Sequence, residues 1–248
     1  SFIVGEVHLV LKDNPTVKLA HIKLEAQVNA KLYVHNVDGD DKGTINVTNY
    51  NIRESYDKSF GYYTQYHETY FRGAAVIGGG EWQNMGSLFV HGGSINVKNQ
   101  DKWAAAIGGG RGGNIDSNHQ VVVYAGRINA EAFYTRENSK TESGTVISLV
   151  GVCEPYGAVI GGSDDNAQGG RVTVYGGTVR AENKGRGAAI GGGEDASGGS
   201  VYVYGGSVYA AAGLYSKKGG TGIGDGYQGS GGDVHIYGGT VEVIGVKA

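Results

Sequence analysis

Acidic side chains recur directly after a repeated Ile-Gly-Gly phrase. Asp164 and Asp165 follow one copy of the phrase, and Glu194 and Asp195 follow another. If the copies lie side by side at the spacing of neighbouring strands, about 5 Å, these carboxylates suit three roles. They are suited to ligating Ca²⁺, to acting as a retaining glycosidase pair, or to serving as turn residues after glycine. The residues alone leave all three open; no cofactor is required, and calcium is the one candidate.

Aromatic side chains are concentrated in the segments that join the apolar phrases. The longest such segment is an insertion at 53–72, and shorter loops elsewhere carry further aromatics. Clusters of exposed aromatics form binding surfaces, and a Tyr or Trp ring offers a sugar both an apolar face and a polar edge. The alternative is that the insertion folds down as an apolar lid. The candidate substrate-binding residues in these loops are Tyr62, Tyr63, Tyr66, Trp103, Tyr134 and Tyr156.

These residues must be positioned by an internal repeat. The phrase GSVYVYGGSVYA at 199–210 follows AAIGGG at 188–193, and the pair recurs along the chain. Copies are spaced by roughly 30 residues, apart from one double-length gap, and units of this size must stack to bury an apolar face. The first apolar residues of the copies are Leu88, Val121, Val172, Val201 and Val234.

Apolar and polar residues alternate with a period of two within each phrase, which predicts strands rather than helices. Three short strands per repeat predict an all-β chain that forms a right-handed parallel β-helix of about seven coils. Val201 and Val203 would face the interior, and the Gly pairs would form corners. Residues 1–42 are predicted to be N-terminal cap strands and 43–248 the β-helix. A degenerate coil at 144–149 would fill the double-length gap.

Stacked coils also place outward-facing residues in columns. We predict that Tyr124, Tyr175 and Tyr204 are further substrate-binding residues, since their rings would form a flat amphipathic surface. The alternative is that each ring only stacks on its neighbours and shields the corner. The two predicted columns are Thr48, His91, Tyr124, Tyr175, Tyr204, Tyr237 and Asn46, Phe89, Val122, Thr173, Tyr202, His235.

Composition and charge exclude several classes of partner. The 248 residues carry a net charge of −3 with both signs dispersed, so neither nucleic acid nor a membrane surface is favoured. The single Cys153 cannot form an intramolecular disulfide. The sequence opens at Ser1 without Met. We therefore expect a mature or excised fragment of a longer, secreted protein.

The repeated phrase IGGG…GGxVxVYGGxV, which covers about residues 73–246, resembles glycine-rich β-helical segments in surface and secreted proteins of gut bacteria. It is also similar to the β-helical carbohydrate-binding modules attached to xylanases. That resemblance implies a non-catalytic module that binds a plant cell-wall polysaccharide, with xylan as the ligand and a covalently linked catalytic domain as partner. The alternatives are a β-helical glycoside hydrolase or lyase, and a structural or adhesive stalk.

Overall fold

The protein is an all-β right-handed parallel β-helix of seven coils, as the sequence predicts. Its computed structural model describes residues 2–37, 42–49, 55–57, 62–64, 73–137, 150–165, 167–213 and 216–246. Three parallel sheets of seven strands each run along the helix, and every coil contributes one strand to each sheet. We call these sheets A, B and C, in the order in which the chain visits them in a coil.

The first four coils have the following strands. Coil one contains β1 (Phe2–Ile3), β2 (Glu6–Leu11) and β3 (Thr16–Leu19), and coil two contains β4 (Ile22–Leu24), β5 (Lys31–Asn36) and β6 (Thr44–Thr48). The pair β7 (Ser55–Asp57) and β8 (Tyr62–Thr64) follows. Coil three contains β9 (Ile77–Gly78), β10 (Ser87–Val90) and β11 (Ser94–Asn99), and coil four β12 (Ile107–Gly108), β13 (Gln120–Val123) and β14 (Arg127–Ala132).

The remaining coils follow a second insertion. It contains β15 (Tyr134–Glu137) and β16 (Val150–Cys153). Coil five contains β17 (Ile160–Gly161), β18 (Arg171–Val174) and β19 (Thr178–Asn183). Coil six contains β20 (Ile190–Gly191), β21 (Ser200–Val203) and β22 (Ser207–Ala211), and coil seven β23 (Ile223–Gly224), β24 (Asp233–Ile236) and β25 (Thr240–Ile244).

The core is a set of aliphatic columns, one side chain from each coil. Val201 pairs in register with Val172 on one side and Val234 on the other, and both Val201 and Val203 are buried. The predicted inward register is therefore correct. Val234 and Ile236 are 41% and 54% exposed because they lie in coil seven, which is covered on one side only. In these two columns, full burial thus requires a coil on both sides, and Val7 in coil one is likewise 38% exposed.

Sheet A is narrow because from coil three onward each of its strands is an Ile-Gly pair. The isoleucine of the pair is buried in coils three to six and half-buried in coil seven, and the glycine that follows has positive φ. At Gly108, where φ is 152°, an added Cβ would lie 1.9 Å from the carbonyl oxygen of Gly161 in the next coil. Only glycine fits here, and the chain can therefore turn away from sheet A within two or three residues.

The N-terminal segment 1–42 contributes to the coils themselves. Strands β1, β2 and β3 are the terminal strands of sheets A, B and C, and β4 and β5 are the second strands of sheets A and B. The segment predicted as cap strands thus forms coil one and most of coil two. Within the described residues the helical structure is a single 3-10 turn, Ala26–Val28. That part of the chain has no helix with the length and hydropathy needed to cross a membrane.

The two insertions leave the helix as antiparallel pairs, β7 with β8 and β15 with β16. Strands β13 and β14 pair directly with β18 and β19 of the next coil. Coils four and five are therefore direct neighbours, and residues 144–149, predicted to form a degenerate coil, lie outside the described residues. The count of seven is reached instead through coil one, whose strands lack the Gly-rich phrase.

Candidate functional site

Sheet B carries a row of six stacked aromatic rings on its outer face, which we call the aromatic ladder. Each ring comes from one coil and lies almost parallel to the next, with interplanar angles of 14° or less. Neighbouring ring centroids are between 4.5 and 5.2 Å apart. In order along the axis the six residues are His35, His91, Tyr124, Tyr175, Tyr204 and Tyr237.

Two residues predicted for the outward columns of sheet B are elsewhere. Thr48 and Asn46 lie in β6 of sheet C, where Asn96 donates a hydrogen bond to the Asn46 side chain at 2.9 Å. The prediction failed because the alternation in Ile45 and Val47 fits either sheet, and only strand pairing distinguishes them. The ladder position assigned to Thr48 belongs to His35, which comes from the segment predicted to be a cap.

The ladder offers ring edges rather than ring faces. Each internal ring has both faces covered by its neighbours, yet Tyr124, Tyr175 and Tyr204 are 42%, 47% and 43% exposed. The exposed part is therefore the edge that carries the hydroxyl. A sugar ring cannot stack on these faces, so the predicted stacking surface is absent within the ladder.

Aromatic side chains also meet at the corner where the loop entering sheet A contacts the turn leaving it. In the loop before β12, Asp101 Oδ1 accepts hydrogen bonds from the backbone N–H groups of Trp103 and Ala104, at 2.8 and 3.0 Å. The Tyr156 N–H, one coil further on, donates to the Lys102 carbonyl at 2.7 Å. Such local side-chain to backbone bonds fix a tight turn. They hold Trp103 and Tyr156 at equivalent places in successive coils.

The turn after sheet A brings a second indole to this corner. Trp82 has a left-handed backbone with φ of 62° and is 61% exposed. The Arg111 guanidinium lies between two indoles, 5.4 Å from the ring centroid of Trp82 and 5.3 Å from that of Trp103. Cation–π contacts of this kind stabilise the arrangement of planar groups.

Lysine and tyrosine extend the same surface. The Lys102 ammonium lies 4.3 Å from the Tyr156 ring centroid and 5.6 Å from that of Trp103. The Arg186 guanidinium lies 4.9 Å from the Tyr156 ring centroid. We define the aromatic corner as the three rings Trp82, Trp103 and Tyr156 together with the cations Lys102 and Arg111.

The predicted calcium ligands border this corner and are divided among different partners. Arg186 donates to Glu194 at 2.6 Å, and Arg111 lies 3.4 Å from Asp165. Asp195 is exposed in a left-handed turn, with φ of 62°. Within the described ranges, no group of three or more His, Cys, Asp or Glu side chains has a geometry that could hold a metal ion.

Asp164 is a buried carboxyl at the corner that leaves one oxygen unpaired. Its backbone N–H donates to the Trp103 carbonyl at 3.0 Å, while its Oδ1 is buried without a hydrogen-bond partner. Burial raises the pKa of Asp164 to about 7, and the neighbouring Asp165 adds to the effect. Asp164 is only 6% exposed, so its carboxyl offers little surface to a polymer in solvent.

Several candidate residues fall where the structure gives no side chain. Tyr66 and most of the insertion at 53–72 lie outside the described residues. Tyr62 and Tyr63 lie in β8 and Tyr134 lies in β15, which are described by their backbone alone. The candidates that the structure brings together are Trp103 with Tyr156, and Tyr124 with Tyr175 and Tyr204.

Trp82 is the residue that sequence reasoning missed. It occupies the turn position held by Asp165 and Asp195 in later coils, which suggests an ordinary turn residue. The sequence signal that would have identified Trp82 is Gly112, the residue at the same repeat position in the next coil. A glycine there leaves space for the Trp82 indole. A large ring paired with a glycine at the same repeat position indicates a side chain that lies across the neighbouring coil.

Comparison with known proteins adds no relatives. No protein-family model matches the chain, and neither curated proteins nor solved structures give a significant match.

Proposed function

We propose that the protein is a non-catalytic carbohydrate-binding module for a plant cell-wall polysaccharide, with xylan as the first ligand to test. The observation that carries the proposal is the aromatic corner. The 61% exposed Trp82 indole lies beside a guanidinium shared with Trp103. Apolar ring faces next to fixed hydrogen-bond donors suit a sugar, which has apolar C–H faces and a rim of hydroxyls.

The carboxylates favour binding over catalysis. A retaining glycosidase needs two carboxyl groups about 5 Å apart on either side of the scissile bond. At the corner, Glu194 is paired with Arg186 and Asp164 is buried. The two remaining carboxylates, Glu81 and Asp165, are 43% and 44% exposed at their side chains, and both are paired with the Arg111 guanidinium. This arrangement supports a surface that holds a polymer without cleaving it.

Affinity electrophoresis in gels containing soluble xylan, β-glucan or pectin tests this function, combined with a reducing-sugar assay. We expect retardation without product. Trp82→Ala and Trp103→Ala should each weaken binding by roughly tenfold or more, since exposed aromatic anchors account for most of the binding energy at such surfaces. Product release would instead indicate an enzyme, and neither retardation nor product would indicate a stalk.

Tyr209→Ala is the matched control. Its ring also carries a cation, Arg180, at 4.1 Å from the centroid, but it lies in β22 on sheet C. It should bind as the wild type does. If Tyr209→Ala and Trp82→Ala lose polysaccharide affinity equally, the assignment of the site to the aromatic corner is contradicted.

A further inference from the structure

We infer that the aromatic ladder is a linear track for an extended β-1,4-linked polysaccharide, which binds along the helix axis with one sugar residue per coil. This inference rests on the proposed carbohydrate-binding function, and it assigns a second surface and a linkage class to it. The observation behind it is that the ring hydroxyls recur at a spacing set by the coils.

The spacing of the ladder is regular and straight. The centroid distances from Tyr124 to Tyr175, on to Tyr204 and on to Tyr237 are 5.2, 5.0 and 4.9 Å, with interplanar angles of 7°, 12° and 12°. The spacing follows from parallel strands, which lie about 4.8 Å apart. Because the rings barely rotate from coil to coil, their outer edges form a line parallel to the axis.

A β-1,4-linked pyranose chain has a matching repeat. Both linkage bonds are equatorial and lie at opposite ends of the ring, so each sugar advances the chain by one ring length, close to the coil spacing. α-1,4 and β-1,3 linkages instead curve the chain into helices, which lose register with a straight row after a few residues. Only a chain whose repeat equals the coil spacing can contact the ladder over several consecutive coils. The ladder should therefore prefer β-1,4-linked chains over chains with the other linkages.

The ladder hydroxyls are available to such a chain. Within the described part of the protein, the hydroxyls of Tyr124, Tyr175, Tyr204 and Tyr237 form no hydrogen bond with a protein group. A phenol hydroxyl both donates and accepts, so each is suited to one sugar hydroxyl. Because recognition uses ring edges, the face-to-face stack that holds the rings in place is undisturbed.

The corner side of the ladder is open. Each tyrosine is followed by two small residues: Ala125 and Gly126 after the first, and Gly-Gly pairs after the other three. No long side chain can therefore cover the hydroxyl edge from that side. A straight strip with exposed hydroxyl edges and small flanking residues is suited to a ribbon-like polymer.

Replacing hydroxyls without disturbing the stack tests the track. The triple variant Tyr124→Phe, Tyr175→Phe, Tyr204→Phe keeps every ring, so its melting midpoint should equal that of the wild type. Calorimetry with cellohexaose and xylohexaose should give a Kd weakened by roughly tenfold or more, from the loss of three modest hydrogen bonds. Wild-type affinity should rise with each sugar from the dimer to the hexamer, and this rise should flatten in the variant.

Controls separate this inference from the proposed function. Tyr202→Phe, in the neighbouring column of the same sheet, should bind as the wild type does. If the triple variant binds normally while Trp82→Ala does not, the track is overturned and the aromatic corner stands. If maltohexaose or laminarihexaose binds as tightly as cellohexaose, the linkage assignment is overturned. If the wild type binds no glycan, both the track and the proposed function fail.

Discussion

The indole of Trp82 lies against the backbone of Gly112, one coil further along the helix. An added Cβ at Gly112 would lie 2.3 Å from Cε3 of the indole. We therefore expect Gly112→Ala to displace Trp82 and to weaken polysaccharide binding about tenfold, as Trp82→Ala would. Affinity electrophoresis in xylan measures the effect.

The control for this variant is Gly5→Ala. Gly5 and Gly112 have nearly the same backbone, with φ of 69° and 68°, so an alanine is equally strained at both positions. An added Cβ at Gly5 has no atom within 4 Å. Both variants should therefore carry a similar backbone strain, and Gly112→Ala alone should lose binding. Equal binding by the two would show that the position of Trp82 has no bearing on the ligand.

Adjacent residues of β21 should respond very differently to a carboxylate. Val203 is fully buried in the aliphatic core, so Val203→Asp should destabilise the fold by about 4 kcal/mol or more. Tyr202 faces outward and contacts His235 and Arg171, so Tyr202→Asp should cost about 1 kcal/mol. Urea unfolding compares the two. Equal midpoints would contradict the inward register of sheet B.

The buried Asp164 should make stability depend on pH. Its pKa is raised from 3.8 to about 7 in the fold, so the folded state holds the proton more tightly than the unfolded chain. Stability from this group is present below pH 4 and is lost as the pH rises through 7. Asp164→Asn should thus stabilise the protein at pH 8 by about 2 to 4 kcal/mol, with little change at pH 4.

Thermal unfolding at pH 4 and pH 8 gives the measurement. Asp195→Asn is the control, since it makes the same chemical change at an exposed position in the equivalent turn of the next coil. This variant keeps Asp164, so it should show the same dependence of stability on pH as the wild type. If Asp164→Asn shifts the melting midpoint equally at pH 4 and pH 8, the free-energy cost of burying Asp164 does not come from its negative charge.

Calcium should leave the melting midpoint unchanged. Glu194 is bound to Arg186 and Asp165 lies beside Arg111, so a cation would have to displace an arginine from each. Midpoints in chelator and in millimolar Ca²⁺ make the comparison. A rise with Ca²⁺ would show binding to the native state, because such a ligand stabilises the fold by mass action.

The candidate site was predictable only in part. Trp103 and Tyr156 were found because they occupy the same loop position in successive repeats. Stacking of the coils brings equivalent positions close together. Trp82 was missed because its role depends on the indole lying across Gly112 in another coil. The tyrosine column was found, but its ring faces were expected to be free, and the 5.0 Å stack of Tyr175 on Tyr204 covers them.

The sequence by itself determined the coil, its inward register and most of its corners. These follow from local rules: alternation decides which face of a strand is apolar, and glycine marks where the chain turns. Tertiary structure alone decided which coils are neighbours. Coil one and the adjacency of coils four and five depend on strand pairing between distant segments, as in Lys18 with Asn46 and Ala130 with Ala181. Backbone hydrogen bonds between strands do not depend on side-chain identity, and so the sequence carries little record of them.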